Sequence, residues 1–168
     1  YKFTKKGRSV AVNGLFTIRE EYEEIFGTVT PATMRVMLHY DFERQRRVSN
    51  LHVHLVAMYY ENLYELNVRL GTKQRRQLLA DIVQLVRENI NPQDYLSMDG
   101  SNMMFIALHD VTLIDAQRIC KTLDERLETA LAENFPGYQP SVRSQMTAMN
   151  STDPVNLQLE RLTKSLYE

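Results

Sequence analysis

Apolar residues are spaced in two ways along the chain, one typical of helices and one typical of strands, and together these patterns predict nine elements of secondary structure. Apolar positions recur at helical spacing in some segments, and form short alternating or continuous runs typical of strands in others. The predicted order is helix, strand, helix, helix, strand, strand, helix, strand, helix. This order indicates an α+β fold in which a central sheet of mixed direction is covered by helices. The expected helices are residues 31–47, 61–68, 73–89, 112–132 and one from 154, and the expected strands are residues 51–60, 141–149 and two runs within 96–108.

A predicted β-hairpin over residues 96–108 lies at the centre of this pattern. Two apolar runs flank the polar tetrapeptide Asp99-Gly100-Ser101-Asn102, which is typical of a tight turn. Gly100 and Asn102 are residue types that readily adopt a positive φ. The second run is apolar at nearly every position, so we expect a strand that is buried on both faces.

Helix boundaries are marked by capping residues. Thr30-Pro31 and Asp153-Pro154 each combine an N-cap residue with a proline suited to the first helical position. Thr112 and Asp115 resemble a capping box. The helix after Thr112 is expected to bury one stripe, formed by Leu113, Ala116, Cys120, Leu123, Leu127 and Leu131.

Composition narrows the possible partners and location. The 168 residues suit one domain, and the formal net charge of −1 gives no bulk electrostatic reason to bind nucleic acid or an acidic membrane. Cys120 is the single cysteine, which excludes an intrachain disulfide and favours a reducing compartment. No apolar run reaches the roughly 18–20 residues of a membrane span. We therefore expect a cytoplasmic protein, or the cytoplasmic part of a membrane-anchored one, since a chain that begins with Tyr1 reads as a fragment.

The first 27 residues differ from the rest of the chain. Two β-rich runs flank Asn13-Gly14, a strong hairpin signal, and an acidic segment then ends at Gly27. We expect residues 1–27 to be an entry segment or the tail of an upstream domain, and residues 28–168 to form the main domain.

The main domain resembles the GGDEF domains of diguanylate cyclases. Gly100-Ser101-Asn102-Met103-Met104 lies at the place of the Gly-Gly-Asp-Glu-Phe hairpin and keeps its first glycine. Ser144 matches the serine of the family's Ser-Ile-Gly strand. Residues 159–167 resemble the closing Leu-x-x-Ala-Asp-x-Ala-Leu-Tyr helix. The resemblance covers roughly residues 28–168 and implies a GGDEF-like, nucleotide-cyclase-like fold with a ferredoxin-like central sheet.

The resemblance also implies a remnant of a nucleotide pocket. Residues 59–67 correspond to the family's Asp-x-Asp-x-Phe-Lys-x-x-Asn motif, which puts Tyr59 at a metal-binding aspartate and Asn67 at an asparagine that reads guanine. Arg76 takes the place of a guanine-reading aspartate. With the hairpin turn, the implied vestigial pocket comprises Tyr59, Asn67, Arg76, Gly100, Ser101, Asn102 and Met103.

The residue types at the acidic positions argue against catalysis. Phosphoryl transfer with Mg²⁺ requires hard oxygen ligands, normally carboxylates. Tyr59, Asn102 and Met103 offer a neutral phenol, an amide and a thioether instead. Glu61 and Asp99 are nearby carboxylates that an active enzyme of this fold would have to use. We expect no catalytic residues, no bound metal and no cofactor.

Many family members carry an inhibitory Arg-x-x-Asp site for cyclic di-GMP just before the hairpin. The corresponding residues here are Asn91-Pro92-Gln93-Asp94, so the aspartate is kept and the arginine is lost. Arginine supplies a planar, bidentate grip on phosphate that asparagine cannot supply. Arg87, one helical turn earlier, is a substitute to consider at this vestigial inhibitory site.

The sequence thus favours a degenerate, non-catalytic GGDEF-like regulatory domain of a bacterial signalling protein. It would act through protein–protein interaction or dimerisation, with another protein or domain of its pathway as partner and a homodimer as one form. Two alternatives stay open. One is a sensor that binds GTP or cyclic di-GMP in a remodelled pocket, and the other is an active nucleotide-processing enzyme of the same fold.

Overall fold

The computed structural model describes residues 28–48, 51–100 and 102–167. The expected role of residues 1–27, and the hairpin around Asn13-Gly14, lie outside the described residues. Within them, the predicted order of nine elements is confirmed. The elements are α1 (Pro31–Arg47), β1 (Val53–Glu61), α2 (Leu63–Arg69), α3 (Thr72–Arg87), β2 (Tyr95–Asp99), β3 (Met103–His109), α4 (Leu113–Asn134), β4 (Ser141–Ala148) and α5 (Val155–Ser165).

The four strands form one sheet in the order β2-β3-β1-β4, and all three of its ladders are antiparallel. The α+β class is confirmed, but the expected mixed direction is wrong for these ladders. The strands β1 and β2 do run parallel, yet β3 lies between them and pairs antiparallel with both. The parallel contact that the described residues show is an isolated bridge at the β2 edge, where Val29 lies beside Ser97 and its N–H donates to the carbonyl of Leu96 at 2.9 Å.

The sheet separates two hydrophobic layers. One layer lies under α2, α3 and α4, and the other lies under α1 and α5. Met104 belongs to the first layer and Met103 to the second, because neighbouring residues of a strand point to opposite faces. Both methionines are buried, which confirms that β3 is covered on both sides.

Local capping explains where two helices begin. The hydroxyl of Thr30 accepts from the N–H of Thr33 at 3.1 Å, and Pro31 opens α1 as expected. The hydroxyl of Thr112 accepts from the N–H of Asp115 at 3.1 Å at the start of α4. These contacts satisfy N–H groups that have no partner within the helix.

Two expectations about helix ends are wrong. Pro154, not Asp153, is the N-cap residue of α5, and the Asp153 carboxylate instead accepts from Asn150 and pairs with Arg161 at 3.0 Å. Leu113 does not join the buried stripe of α4, because at the first position of the helix it stays 52% exposed.

Of the two hairpin residues that were expected to adopt a positive φ, Gly100 does so and Asn102 does not. Gly100 has a φ of 73°, which suits a residue without a side chain. Asn102 is not among the residues with positive φ, and its carbonyl accepts from the N–H of Tyr60 at 2.9 Å. Ser101 lies outside the described residues. No helix in the described part of the chain is long and apolar enough to cross a bilayer.

Candidate functional site

Four side chains form a single row across the sheet, next to the hairpin turn. Asp99 on β2 faces Met103 on β3, Met103 faces Tyr59 on β1, and Tyr59 faces Arg143 on β4. Directly paired residues of antiparallel strands point to the same face. We call Asp99, Met103, Tyr59 and Arg143 the terminal row. It includes Met103 and Tyr59, two of the residues that the resemblance places at acidic positions.

Tyr59 is surrounded by a ring and a cation. Its ring meets the ring of Tyr167 edge-on, with centroids 5.5 Å apart and planes at 62°. The guanidinium carbon of Arg143 lies 5.9 Å from the centroid of the Tyr59 ring, within the range of a cation–π contact. The position is therefore filled by aromatic packing beside a positive charge.

The two nearby carboxylates do not converge. The Glu61 Oε2 atom pairs with Arg143 Nε at 3.0 Å and accepts from the Ser141 hydroxyl at 3.1 Å, at the β4 side of the sheet. Asp99 is exposed on β2, beyond β3. Strands that are two places apart in a sheet are separated by about 10 Å. The Glu61 carboxylate is held on the β4 side, so the two carboxylates do not meet at one point in this structure.

A Mg²⁺ ion, which the fold family implies, does not fit the residues at this place. Mg²⁺ requires near-octahedral oxygen ligands, usually including one or two carboxylates. The terminal row offers a single carboxylate, that of Asp99, beside a thioether, a phenol packed against another ring, and a guanidinium that would repel the ion. Among the residues that the structure describes, no group of three or more His, Cys, Asp or Glu side chains is arranged to hold a metal.

A cleft of about 840 Å³ opens beside the terminal row, between α1 and α5. Met34, Met103 and Leu159 contribute apolar surface to it. Its charged residues are Arg35, Asp99, Glu160 and Lys164. This α1–α5 cleft holds both signs of charge around an apolar surface, so it has the chemistry to take an amphipathic or anionic group.

The remaining residues of the implied pocket lie elsewhere. Asn67 on α2 is 9% exposed, and its side-chain oxygen has no partner within the described part of the chain. Its backbone carbonyl accepts from Arg75 at 3.2 Å. Arg76 is half-buried on α3. Asn67 and Arg76 do not line the α1–α5 cleft, whereas Asn102 and Met103 do.

The residues implied for the inhibitory site stabilise their own loop. Asp94 is 3% exposed, and its carboxylate accepts from the N–H groups of Asn91 and His109, both at 2.8 Å. Arg87 donates to the backbone carbonyl of Asp94 at 3.0 Å. Asn91 itself is exposed at the surface. The structure thus brings Arg87 to Asp94, as considered from the sequence, but the contact is with the main chain.

Asp94 belongs to a buried network that the sequence does not reveal. His109 Nδ1 lies 3.3 Å from Asp94 Oδ1, and His109 Nε2 lies 2.8 Å from Asp41 Oδ2. The ring of Tyr95 packs edge-on against the His109 ring, with centroids 4.5 Å apart. Arg44 Nη1 reaches Asp41 Oδ1 at 3.6 Å. We call Asp41, His109 and Asp94 the buried triad.

The charge balance of the buried triad favours an imidazolium ion. Burial alone lowers the pKa of His109, but the hydrogen bonds and charges of Asp41 and Asp94 outweigh burial and raise that pKa to about 9. Burial, reinforced by Asp41, raises the pKa of Tyr95 to about 12. At neutral pH the triad therefore holds one cation between two anions, and Tyr95 stays a neutral phenol.

Neither His109 nor Asp41 is among the candidate residues that the sequence predicts. Asp41 lies between Leu38 and Phe42 on the inward side of α1, which was a usable signal. A carboxylate at an inward helical position requires a buried partner. The partner is 68 residues away in the chain, so its identity emerges from the fold.

No family model matches the sequence, and no curated protein sequence matches it. Solved structures do match by shape. The diguanylate cyclase SiaD of Pseudomonas aeruginosa, solved with its activator SiaC, is similar at a TM-score of 0.74 and 15% identity, over 92% of this chain and 60% of that chain.

Two further structures are similar over most of both chains. The GGDEF domain of DgcB from Caulobacter crescentus, solved in complex with cyclic di-GMP, has a TM-score of 0.72 at 10% identity, with 85% of each chain covered. The GGDEF domain of FimX from Pseudomonas aeruginosa has a TM-score of 0.68 at 14% identity, with 84% of this chain and 88% of that chain covered. The chain therefore has the fold of a GGDEF domain, as its sequence resemblance implied.

Proposed function

We propose that this chain is a non-catalytic regulatory domain of a bacterial signalling protein and acts through protein–protein interaction or dimerisation. The terminal row carries the proposal. At the place where the resemblance calls for metal-binding acids, the chain packs Tyr59 against Tyr167 and sets Arg143 beside the ring. A phosphoryl-transfer site needs metal ions there to neutralise developing negative charge.

The surviving carboxylates support the same proposal. Glu61 is held by Arg143 and Ser141, and Asp99 lies on a strand two places away. To act as an enzyme, the chain would have to break the Glu61–Arg143 pair and bring both acids to one ion. We therefore rank the nucleotide-processing enzyme below the regulatory domain.

Interaction with a protein fits what is known of one structural neighbour. SiaD was solved with an activator protein, SiaC, so a domain of this fold occurs in a protein that docks another protein. For the present chain a partner from the same signalling pathway is the corresponding expectation. It needs a surface rather than a catalytic site, and so tolerates the changes in the terminal row.

A nucleotide sensor is the second candidate, and the α1–α5 cleft favours it. The cleft of about 840 Å³ is within the range of small-molecule sites and includes the cations Arg35 and Lys164. Neither cation has an ion-pair partner within the described residues, so both are available to an anionic group. DgcB, of the same fold, was solved with cyclic di-GMP.

Isothermal titration separates these candidates. The chain is titrated with GTP and with cyclic di-GMP, each with and without Mg²⁺. We expect no binding in any of the four titrations. Metal-independent binding that is lost in Lys164→Ala, but kept in the matched surface variant Lys121→Ala, would establish the sensor. Binding that requires Mg²⁺ would favour the enzyme.

A further inference from the structure

The two edges of the sheet are unequal. At the β2 edge, Val29 pairs with the middle of the strand through its bridge to Ser97 and its hydrogen bond to Leu96. At the other edge, β4 pairs with β1 along all eight of its residues. No described strand lies on its outer side. An uncovered strand of this length presents main-chain groups that are able to pair with another strand.

One hydrogen bond fixes which main-chain groups of β4 point outward. The N–H of Met149 donates to the carbonyl of Val53 at 2.8 Å, and these residues continue the β1–β4 register by one pair. Hydrogen-bonded and non-bonded pairs alternate along an antiparallel ladder. Residues 141, 143, 145 and 147 therefore bond to β1, while 142, 144, 146 and 148 direct their N–H and C=O groups outward.

The first outward N–H group is already satisfied, which supports this assignment independently. The N–H of Val142 donates to Glu128 Oε2 on α4 at 2.8 Å. The outward main-chain groups of Ser144, Met146 and Ala148 have no corresponding partner among the described residues. The unpaired part of the edge is thus a set of three alternate residues centred on Met146.

We propose that this edge is a self-association surface, on which β4 pairs antiparallel with β4 of a second copy across a two-fold axis at Met146. This inference rests on the proposed interaction function and names its surface. In this register Met146 lies opposite Met146 of the second copy. Ser144 of each copy lies opposite Ala148 of the other. The three unpaired residues then satisfy one another through six inter-chain hydrogen bonds.

The self-complementary register points to a second copy as the occupant, and charge does not oppose it. The remaining cross-strand pairs would be Gln145 with the partner's Thr147 and Arg143 with the partner's Met149, so no like charges face each other. Arg143 is already paired with Glu61. The net charge of −1 adds little repulsion between two copies. Between Ser144 and Ala148 the edge carries no lysine, proline or acid, the residues with which natural sheets block such pairing.

Sedimentation equilibrium of the full chain over a range of concentrations tests the proposal. We expect a monomer–dimer equilibrium that Ala148→Pro weakens at least about tenfold, because proline deletes one outward N–H in each copy and none that bonds to β1. Leu113→Pro is the matched control, since it places proline at the first position of α4, where the N–H has no helical partner. Circular dichroism confirms that both variants are folded.

Cysteine cross-linking tests the register itself. Gln145→Cys and Thr147→Cys, mixed as separate samples, should form a disulfide dimer, because directly opposite non-bonded residues lie about 4.5 Å apart between Cα atoms. Neither variant should cross-link with itself, because the two copies of one residue are offset by two positions in this register. Their Cα atoms then lie farther apart than the limit of about 7 Å for a disulfide.

Either a chain that stays monomeric throughout, or a dimer that Ala148→Pro leaves unchanged, would overturn the proposal. An unchanged dimer would leave the interaction function standing on another surface. GTP turnover by the chain would instead contradict the proposed function, whatever its oligomeric state, so the two failures are distinguishable.

Discussion

The Nε2 atom of His109, at the end of β3, lies 2.8 Å from Oδ2 of Asp41 on α1, and both side chains are buried. The contact joins a helix at the start of the domain to its central sheet. The other ring nitrogen faces Asp94 in the loop before β2. One side chain therefore links α1, β3 and the loop that the resemblance assigns to an inhibitory site.

Replacing His109 with leucine should destabilise the domain strongly near neutral pH. The change leaves two buried carboxylates without their shared cation, and breaking a buried ion pair in this way costs about 3–5 kcal/mol. Chemical denaturation of the wild type and His109→Leu measures the difference. Arg46→Gln is the control, because its pair with Glu43 is exposed and contributes less than about 1 kcal/mol.

The same comparison has a defined pH dependence. The pKa of His109 is raised from 6.5 to about 9 in the folded state, so the charged form is favoured by folding. Its contribution is fully present below pH 6.5 and is lost as pH rises through about 9. The difference in unfolding free energy between wild type and His109→Leu should shrink over that interval. A difference that is constant between these values would contradict the assigned charge state.

Restoring an arginine at position 91 should not create cyclic di-GMP binding. Asn91 is exposed, so Asn91→Arg is compatible with the fold. Asp94, the other half of the motif, is buried and engaged by the N–H groups of Asn91 and His109. Calorimetric titration of Asn91→Arg with cyclic di-GMP is expected to show no heat of binding. Micromolar affinity would mean that Asp94 leaves the buried triad to meet a ligand.

Met103 should behave as a core residue. It is buried between β3 and the layer under α1 and α5, so Met103→Ala should cost about 2–4 kcal/mol of unfolding free energy. Val36→Ala on the exposed side of α1 serves as the control and should change stability by less than about 0.5 kcal/mol. A Met103→Ala variant as stable as the wild type would leave the residue free for another role.

Removing the charge of Asp124 should stabilise the domain at neutral pH. The pKa of this carboxyl is raised to about 6. Burial is the main cause, and the charges of Glu128 and Glu125 add to it, while the hydrogen bond from Ser144 acts in the opposite direction. Folding thus favours the protonated form, and ionisation destabilises the native state as pH rises from 3.8 through about 6.

Thermal unfolding of Asp124→Asn checks this expectation. The gain should be no more than about 1 kcal/mol, since the group is partly exposed and solvent screens it. It should be present at pH 7 and absent near pH 4. Carbon-13 titration of the Asp124 carboxyl in the wild type reads the same pKa directly. A midpoint near 4 would contradict the burial effect.

The fold was predictable because its signals are local. Thr30-Pro31, Thr112 and Gly100 each mark a boundary through a contact or a dihedral angle within a few residues. Periodicity then placed the strands and helices, and their order was confirmed. Two of the wrong expectations, including the inward position of Leu113, concern helix ends, where one residue of shift changes the face that a side chain presents. Another, the mixed direction of the sheet, depended on how strands distant in the chain pair with one another.

The candidate site was less predictable because it depends on contacts between distant parts of the chain. The resemblance named Tyr59 and Met103, but the packing of Tyr59 against Tyr167 joins opposite ends of the domain. The Glu61–Arg143 pair likewise depends on strand order. The resemblance implies that acids are missing from the family's positions, and the fold shows how Tyr59 and Met103 pack at the corresponding places.

Turnover of GTP tests the central claim most directly. The chain at high concentration is incubated with GTP and Mg²⁺, and release of pyrophosphate and formation of cyclic di-GMP are measured beside the variants Glu61→Gln and Asp99→Asn. We predict no product above the level of a heat-denatured sample. Product formed by the wild type and abolished by either variant would contradict the account, because it would show that these two carboxylates supply the catalytic site that Tyr59 and Met103 lack.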